Sequence, residues 1–276
     1  MIVSILGTRG GIGSTTLLSN LYQLMKEEGK NPHWLSLTAP FPPLFSQNNF
    51  NWEKIFSIKR NIPEFDRNKC NSCNECVLLC VYNAIEHSHD EYKIHSHLCN
   101  SCGLCISCCK QHALDFTLTD LGGIYTNPTL NNSLLKLVLN AQELISEWHI
   151  SNIFNFLKKH ISKNETCFID ISSGYKELWG EFFKLSDIVI LYTDDTIVWD
   201  IIYQSLSQQQ STKLILTVTK SSYNEFIKSG YSYAIPVPYN KEIAISSIQG
   251  EIVKDLFFYN SLQSIKSIIN EPVTKW

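Results

Sequence analysis

The chain has 276 residues, 44% hydrophobic and 18% charged, with a formal net charge of −3, the composition of a soluble globular protein of one large or two modest domains. That balance, with no Lys/Arg-rich run, removes nucleic acid and anionic membrane surfaces as default partners. No apolar stretch approaches the roughly 20 residues of a membrane span, and the opening MIVSILG is too short and lacks the basic flank of an export signal. A cytoplasmic location is therefore expected, where clustered cysteines mean metal more often than disulfide.

In chain order, Ile2 to Leu6 is a short β-rich run. A glycine-rich turn follows, and then TTLLSNLYQLMKEEGK, with Leu17, Leu18, Leu21 and Leu24 at helical spacing and Gly29 near its end. Strand, glycine loop and helix are predicted. A second strand is predicted at His33 to Leu37, before the prolines of TAPFPPLF. Residues 61–120 differ in character and predict an inserted small domain, with 1–60 and 121–276 forming one discontinuous domain. Helices are predicted from Asn131 to Ser146 and from Ile150 to His160. CFIDISSG, DIVILYT, KLILTVT and YAIPVPY then alternate with polar or helical stretches. The predicted class is α/β: a doubly wound, mostly parallel sheet with an inserted α+β domain.

Nine of the ten cysteines fall in the insert. Cys70, Cys73, Cys76 and Cys80 are spaced C-x2-C-x2-C-x3-C, and Cys99, Cys102, Cys105 and Cys109 repeat that spacing, leaving Cys108 over. Three cysteines at intervals of three on a tight loop point at one object, and the fourth, a helical turn later, faces a second. The two repeats then exchange one ligand each. One [4Fe-4S] cluster is expected on Cys70, Cys73, Cys76 and Cys109, the other on Cys99, Cys102, Cys105 and Cys80. Zinc is the rival, but structural zinc generally uses two separated C-x2-C pairs and needs four ligands only.

Asn74 and Gly103 occupy matching places where the chain curls and positive φ is favoured. Ala84 and Ala113 also match, followed by Ile85 and Leu114. About sixty residues bury too little apolar surface to fold alone, so removal of iron should unfold the insert. The stretch resembles bacterial two-cluster ferredoxins, with Val81 and Lys110 where those carry proline. Cys108 is expected to be a packed or exposed thiol, and Cys167 a core residue. The five histidines between Glu86 and His112 are irregularly spaced among charges, the pattern of a solvated hairpin.

Gly7 to Thr16, GTRGGIGSTT, has the shape of a phosphate-wrapping loop between strand and helix. It resembles the deviant Walker A loop of the MinD/ParA superfamily, with Gly10, Gly11, Gly13, Thr15 and Thr16 matching. Thr8 stands for a glycine, Arg9 for the signature lysine and Ser14 for the phosphate-binding lysine. CFIDISSG is similar to the superfamily's switch, which places Asp170 at the acidic position near magnesium. The resemblance covers nearly the whole chain, and a subgroup of these ATPases carries a two-cluster ferredoxin inserted after the second strand.

The second strand should end in D-x-D, yet Ser36 and Thr38 stand there, and Thr219 replaces the adenine-side asparagine. Losing a charge-assisted lysine–phosphate bond removes about 1.5–3 kcal/mol, around tenfold to a hundredfold in affinity. Losing a preorganised transition-state donor costs roughly 10²–10³ in rate. The sequence therefore argues against ATP hydrolysis. It leaves open whether Mg-ATP binds weakly with help from Arg9, or whether the glycine turn only packs helix on sheet.

Three functions are carried forward. The first is an electron-transfer protein on a MinD-like scaffold, working with a redox partner protein and, by resemblance, as a homodimer or paired with an active paralogue. The others are a nucleotide-gated redox switch or ATPase subunit, and an iron–sulfur carrier or assembly scaffold.

Overall fold

The computed structural model describes residues 1–37, 41, 51–88, 91–130, 133–171, 173–206, 213–219, 222–228, 230, 234–238, 240–249 and 251–270. In chain order the elements are β1 (Ile2–Gly7), α1 (Ser14–Glu27), β2 (His33–Ser36), β3 (Glu53–Phe65), α2 (Glu75–Leu78), β4 (Ile85–Ser88) and β5 (Glu91–Ile94). Then come α3 (Leu104–Cys108), β6 (Leu114–Thr126), β7 (Leu134–Leu139), α4 (Glu147–His160), β8 (Cys167–Ile171), α5 (Trp179–Leu185), β9 (Ile188–Thr193) and α6 (Thr196–Leu206). The chain closes with β10 (Lys213–Thr219), α7 (Tyr223–Lys228), β11 (Ile235–Val237), α8 (Lys241–Gln249) and α9 (Leu256–Asn270). Two compact units result: Met1–Glu53 with Tyr125–Leu137 and Ser146–Trp276, and Lys54–Ile124 with Val138–Ile145.

The first unit is built on strands in the order β11-β10-β9-β1-β8-β2-β7. Every pairing in that series is parallel. A parallel sheet is covered on both faces, so its strands run mostly apolar rather than alternating. β1 and β9 are buried along their whole length. Each fully buried Val, Ile or Leu there stabilises by about 1.5–3 kcal/mol relative to exposure. α1 packs Leu17, Leu18, Leu21 and Leu24 into the same core, and Tyr22, fully buried, donates its hydroxyl to Ser133 Oγ at 2.7 Å. Trp34 lies between Tyr22 and Phe41, at ring distances of 5.9 and 5.3 Å. Cys167 is fully buried at the start of β8, and burial pushes its thiol up to about 12.

Chain order reverses about β1: the path runs outward to β2 on one side and to β9 on the other. A ligand crevice lies beyond the carboxyl ends of strands at such a point. The register sets Ile5 opposite Asp170 and Gly7 opposite Tyr192, which brings the glycine loop, the end of β8 and the end of β9 to one edge of the sheet.

The helix expected from Asn131 to Ser146 is not formed. Asn131 and Asn132 lie outside the described residues, and Leu134–Leu139 is the strand β7, paired in parallel with β2 through Trp34↔Leu134 and Leu35↔Leu135. The run LLKLVL carries leucines at spacings that suit either period. The free edge of β2 decides between them, because pairing there buries Leu134, Leu135 and Leu137.

In the second unit β3 and β6 are hydrogen-bonded neighbours of thirteen residues each. Thr117 donates to Glu64 at 2.7 Å and Lys54 to Asp120 at 2.9 Å. Gly122 and Gly123 allow close backbone approach: a Cβ on the first would run into the Val138 carbonyl, and one on the second into that of Phe56. Between these strands lie two short helices and the antiparallel hairpin β4-β5. No described helix of the chain is long and apolar enough to cross a membrane.

Candidate functional site

The cysteine loops repeat with an interval of 29 residues, that from Cys70 to Cys99. Ser72 and Ser101, Asn74 and Gly103, and Asn83 and His112 all take positive φ, between 49° and 76°. Only such a curl lets successive cysteines face one centre, and it is the region that glycine and asparagine enter at least cost. Asp66 N–H donates to the Ala113 carbonyl and His95 N–H to the Ala84 carbonyl, both at 2.8 Å. Those two bonds are equivalent by the repeat and run in opposite directions, so the two halves clasp each other about a pseudo-twofold axis.

That clasp moves the fourth cysteine of each repeat toward the other. Cys70, Cys73, Cys76 and Cys109 line one pocket, walled by Phe65, Tyr92 and Leu114. On the other side Cys99, Cys80 and Cys102 lie near enough for their charges to interact, and Cys105 interacts with Cys99 and Cys102. Burial, then Cys108 and Cys105, push Cys76 up to about 11. Burial, then Cys99, does the same for Cys105. Burial also raises Cys99, with Arg60 opposing it and Cys80 and Cys102 adding to it.

Crowded, half-buried sulfurs of this kind become thiolates together only beside a strong positive charge. Two sulfurs already accept main-chain hydrogen bonds at equivalent places: Cys80 from Ala84 N–H and Cys109 from Ala113 N–H, both at 3.3 Å. Cys99 accepts a third from Ser101 N–H at 3.4 Å. The donor set fits an iron–sulfur cluster at each place. Among the described residues no three His, Cys, Asp or Glu side chains converge as a single ion requires; a cubane takes its thiolates at four separate iron corners. Cys108 is half-buried and donates to the Cys105 carbonyl at 3.3 Å.

The histidines are more engaged than the solvated hairpin expected for them. His87 stacks on Tyr92 with centroids 4.1 Å apart, and His95 pairs with Glu86 at 3.0 Å. His89 lies outside the described residues.

In the first unit Gly11 and Gly13 take φ of 72° and 102°. A Cβ on Gly7 would come within 2.8 Å of Ile12 and 2.9 Å of Ser14 Oγ. The loop opens on a pocket of about 280 Å³ lined by Gly11, Gly13, Ser14, Thr15 and Thr16 together with Tyr192, Pro238, Ile243 and Phe258. Thr15 Oγ1 donates to Asp170 Oδ2 at 3.0 Å. Burial lifts the Asp170 carboxyl to about 6, with the Thr15 hydroxyl holding it back.

Gly10 and Arg9 do not line the pocket. The space a Cβ would fill at Gly10 is open, its nearest neighbour being Ser173 Oγ at 4.0 Å. Arg9 Nε and Nη2 donate to Asp194 Oδ2 at 2.8 and 2.5 Å. Ser36 is buried at the end of β2, Thr38 lies outside the described residues, and Thr219 donates to Ser222 Oγ at 3.2 Å. Sequence reasoning missed Asp194, Tyr192 and Phe258. The first two stand at the end of an apolar strand, where α/β sites gather side chains, and that position was the available signal.

No protein-family model matches the chain, and no curated protein matches it in sequence. Among solved structures the chain is similar to the MinC:MinD cell division protein complex of Aquifex aeolicus, with TM-score 0.52 and 11% identity over 100% of this chain and 98% of that one. The chain has the MinD/ParA fold. A ParA family ATPase of Chlorobium tepidum matches with TM-score 0.50 and 10% identity, covering 95% and 96% of the two chains. MinD of Pyrococcus horikoshii, complexed with Mg-ADP, matches with TM-score 0.50 and 11% identity, covering 98% and 96%. The MinD/ParA fold accounts for the parallel sheet and the glycine loop after β1; the charges this chain carries on that loop are its own.

Proposed function

We propose that the protein is an electron-transfer protein holding two [4Fe-4S] clusters, carried on a MinD/ParA scaffold that no longer hydrolyses ATP. The observation that carries the reading is the crossed gathering of Cys109 with Cys70, Cys73 and Cys76 around one pocket, which the spacing of the repeats predicts. Cys80 joins Cys99, Cys102 and Cys105 in the second set. When bound, each cluster supplies one-electron redox chemistry with little change in geometry.

The chain's own residues do the rest. The Ala84 and Ala113 amides stabilise thiolate charge on Cys80 and Cys109. Phe65, Tyr92 and Leu114 supply apolar wall to the first set, in which Cys73 is exposed. Loss of hydrolysis follows from Ser14 at the phosphate-binding position and from Ser36 and Thr38 where acids belong. Low-temperature EPR of anaerobically purified, reduced protein tests this: two interacting cluster signals are expected, unchanged by ATP.

A nucleotide-gated redox switch is the second reading. It is favoured by the pocket of about 280 Å³ on the glycine loop and by the Thr15–Asp170 pair beside it, and by the Mg-ADP bound in the similar Pyrococcus horikoshii structure. Calorimetry with millimolar Mg-ATP separates the two: heat of binding together with an altered cluster signal favours the switch, and no heat removes it.

A further inference from the structure

The pseudo-twofold repeat allows a comparison that a single loop would not. Leu78, Leu79, Val81 and Tyr82 surround Cys80 and are 83%, 43%, 77% and 43% exposed. At the equivalent backbone positions, 29 residues on, stand Ser107, Cys108, Lys110 and Gln111. The fold therefore accepts polar side chains at these places. Scattered surface apolar residues need no explanation, but four in five consecutive positions form a patch.

The patch continues onto the second sulfur set. Asn100, next to Cys99, donates its amide to the Tyr82 hydroxyl at 2.9 Å, and Leu98 on the other side of Cys99 is exposed as well. The unit Lys54–Ile124 with Val138–Ile145 carries nine acidic residues against seven basic ones. Glu75, partly exposed, pairs with Lys110, and the exposed Glu86 and Glu91 pair with His95 and Arg67.

We infer that the surface of Leu78, Leu79, Val81 and Tyr82 is the docking face for a basic electron-transfer protein, and that electrons cross there through the set of Cys80, Cys99, Cys102 and Cys105. This rests on the cluster reading above. Transient redox interfaces are small, with an apolar centre inside a charged rim. A unit with more acids than bases favours a cationic partner over an anionic one at that centre. In the transfer one electron leaves the reduced protein and one ferric haem of the acceptor becomes ferrous; no bond or proton moves.

The test uses the full-length protein with its iron, reduced by dithionite, and cytochrome c as a basic electron acceptor. The double variant Leu78→Ser/Val81→Gln gives the first repeat side chains of the kind the second already carries, with no change of charge. Its second-order rate with cytochrome c should fall at least tenfold, and calorimetric affinity for oxidised cytochrome c should fall at least fivefold. Iron content and the EPR signal should stay as in the parent. The converse variant Ser107→Leu should leave both within about twofold. An iron-loaded Leu78→Ser/Val81→Gln protein with parental rate and affinity overturns the inference alone. A parent protein that contains no iron takes down the inference and the cluster reading together.

Discussion

Arg9 and Asp194 are tied together on the glycine loop, both guanidinium contacts converging on the single oxygen Oδ2 at 2.8 and 2.5 Å. The positive charge that sequence alone assigns to phosphate is thus engaged with a carboxylate of the chain itself. Arg9 is more than half exposed, so the pair adds at most about 1 kcal/mol to stability. Asp194→Asn should therefore change the urea midpoint only slightly. Ser14→Lys, by contrast, restores the missing phosphate donor and should raise ATP affinity about tenfold to a hundredfold, read by calorimetry.

Asp170 makes stability depend on pH. Burial raises its carboxyl from the ordinary 3.8 to about 6. Between those values the folded chain binds the proton and the unfolded chain does not, so this group's contribution falls as pH rises and is lowest above about 6. The cost at neutral pH is on the order of 3 kcal/mol. Asp170→Asn should be relatively more stable than the parent at pH 7 than at pH 4, by about 1–3 kcal/mol. Urea unfolding followed through the buried Trp34 and Trp199 measures it; a difference independent of pH contradicts the assignment.

Gly103 holds φ 76° with only ordinary contacts, at 3.5 Å, where a Cβ would stand. Gly103→Ala should then cost backbone strain alone, about 1–2 kcal/mol. Asn74→Gly, at the equivalent position with φ 61°, adds no strain and should cost less, chiefly the bond that Tyr92 donates to Asn74 Oδ1 at 2.6 Å, about 0.5–1.5 kcal/mol. Thermal unfolding of the pair under anaerobic conditions checks the ranking.

Much of the architecture was legible in the sequence. β1, β8, β9 and β10 are mostly apolar runs, because a parallel sheet buries both faces of its strands. The curls at Asn74 and Gly103 were visible because few residues enter positive φ readily. Leu134–Leu139 was not legible, since its leucines suit two periods and only the edge of β2 chooses between them. Nor was the tie from Arg9 to Asp194, whose members are far apart in the chain and meet through the pairing of β1 with β9.

Crossed ligation makes a sharp claim about pairs of substitutions. Cys70→Ser/Cys109→Ser removes two ligands from one set and should leave about four irons per chain. Cys70→Ser/Cys80→Ser takes one ligand from each set and should damage both clusters. Iron analysis of the two proteins side by side should give the higher content for the first. Equal contents would contradict the crossed pairing, and the reverse order would mean that each repeat keeps its own fourth cysteine.

The most direct measurement is metal and acid-labile sulfide content of the anaerobically purified parent protein. Two cubanes require about eight irons and about eight sulfides per chain, and that is the expected result. Zinc in place of iron, no metal, or about half that iron would contradict the electron-transfer account.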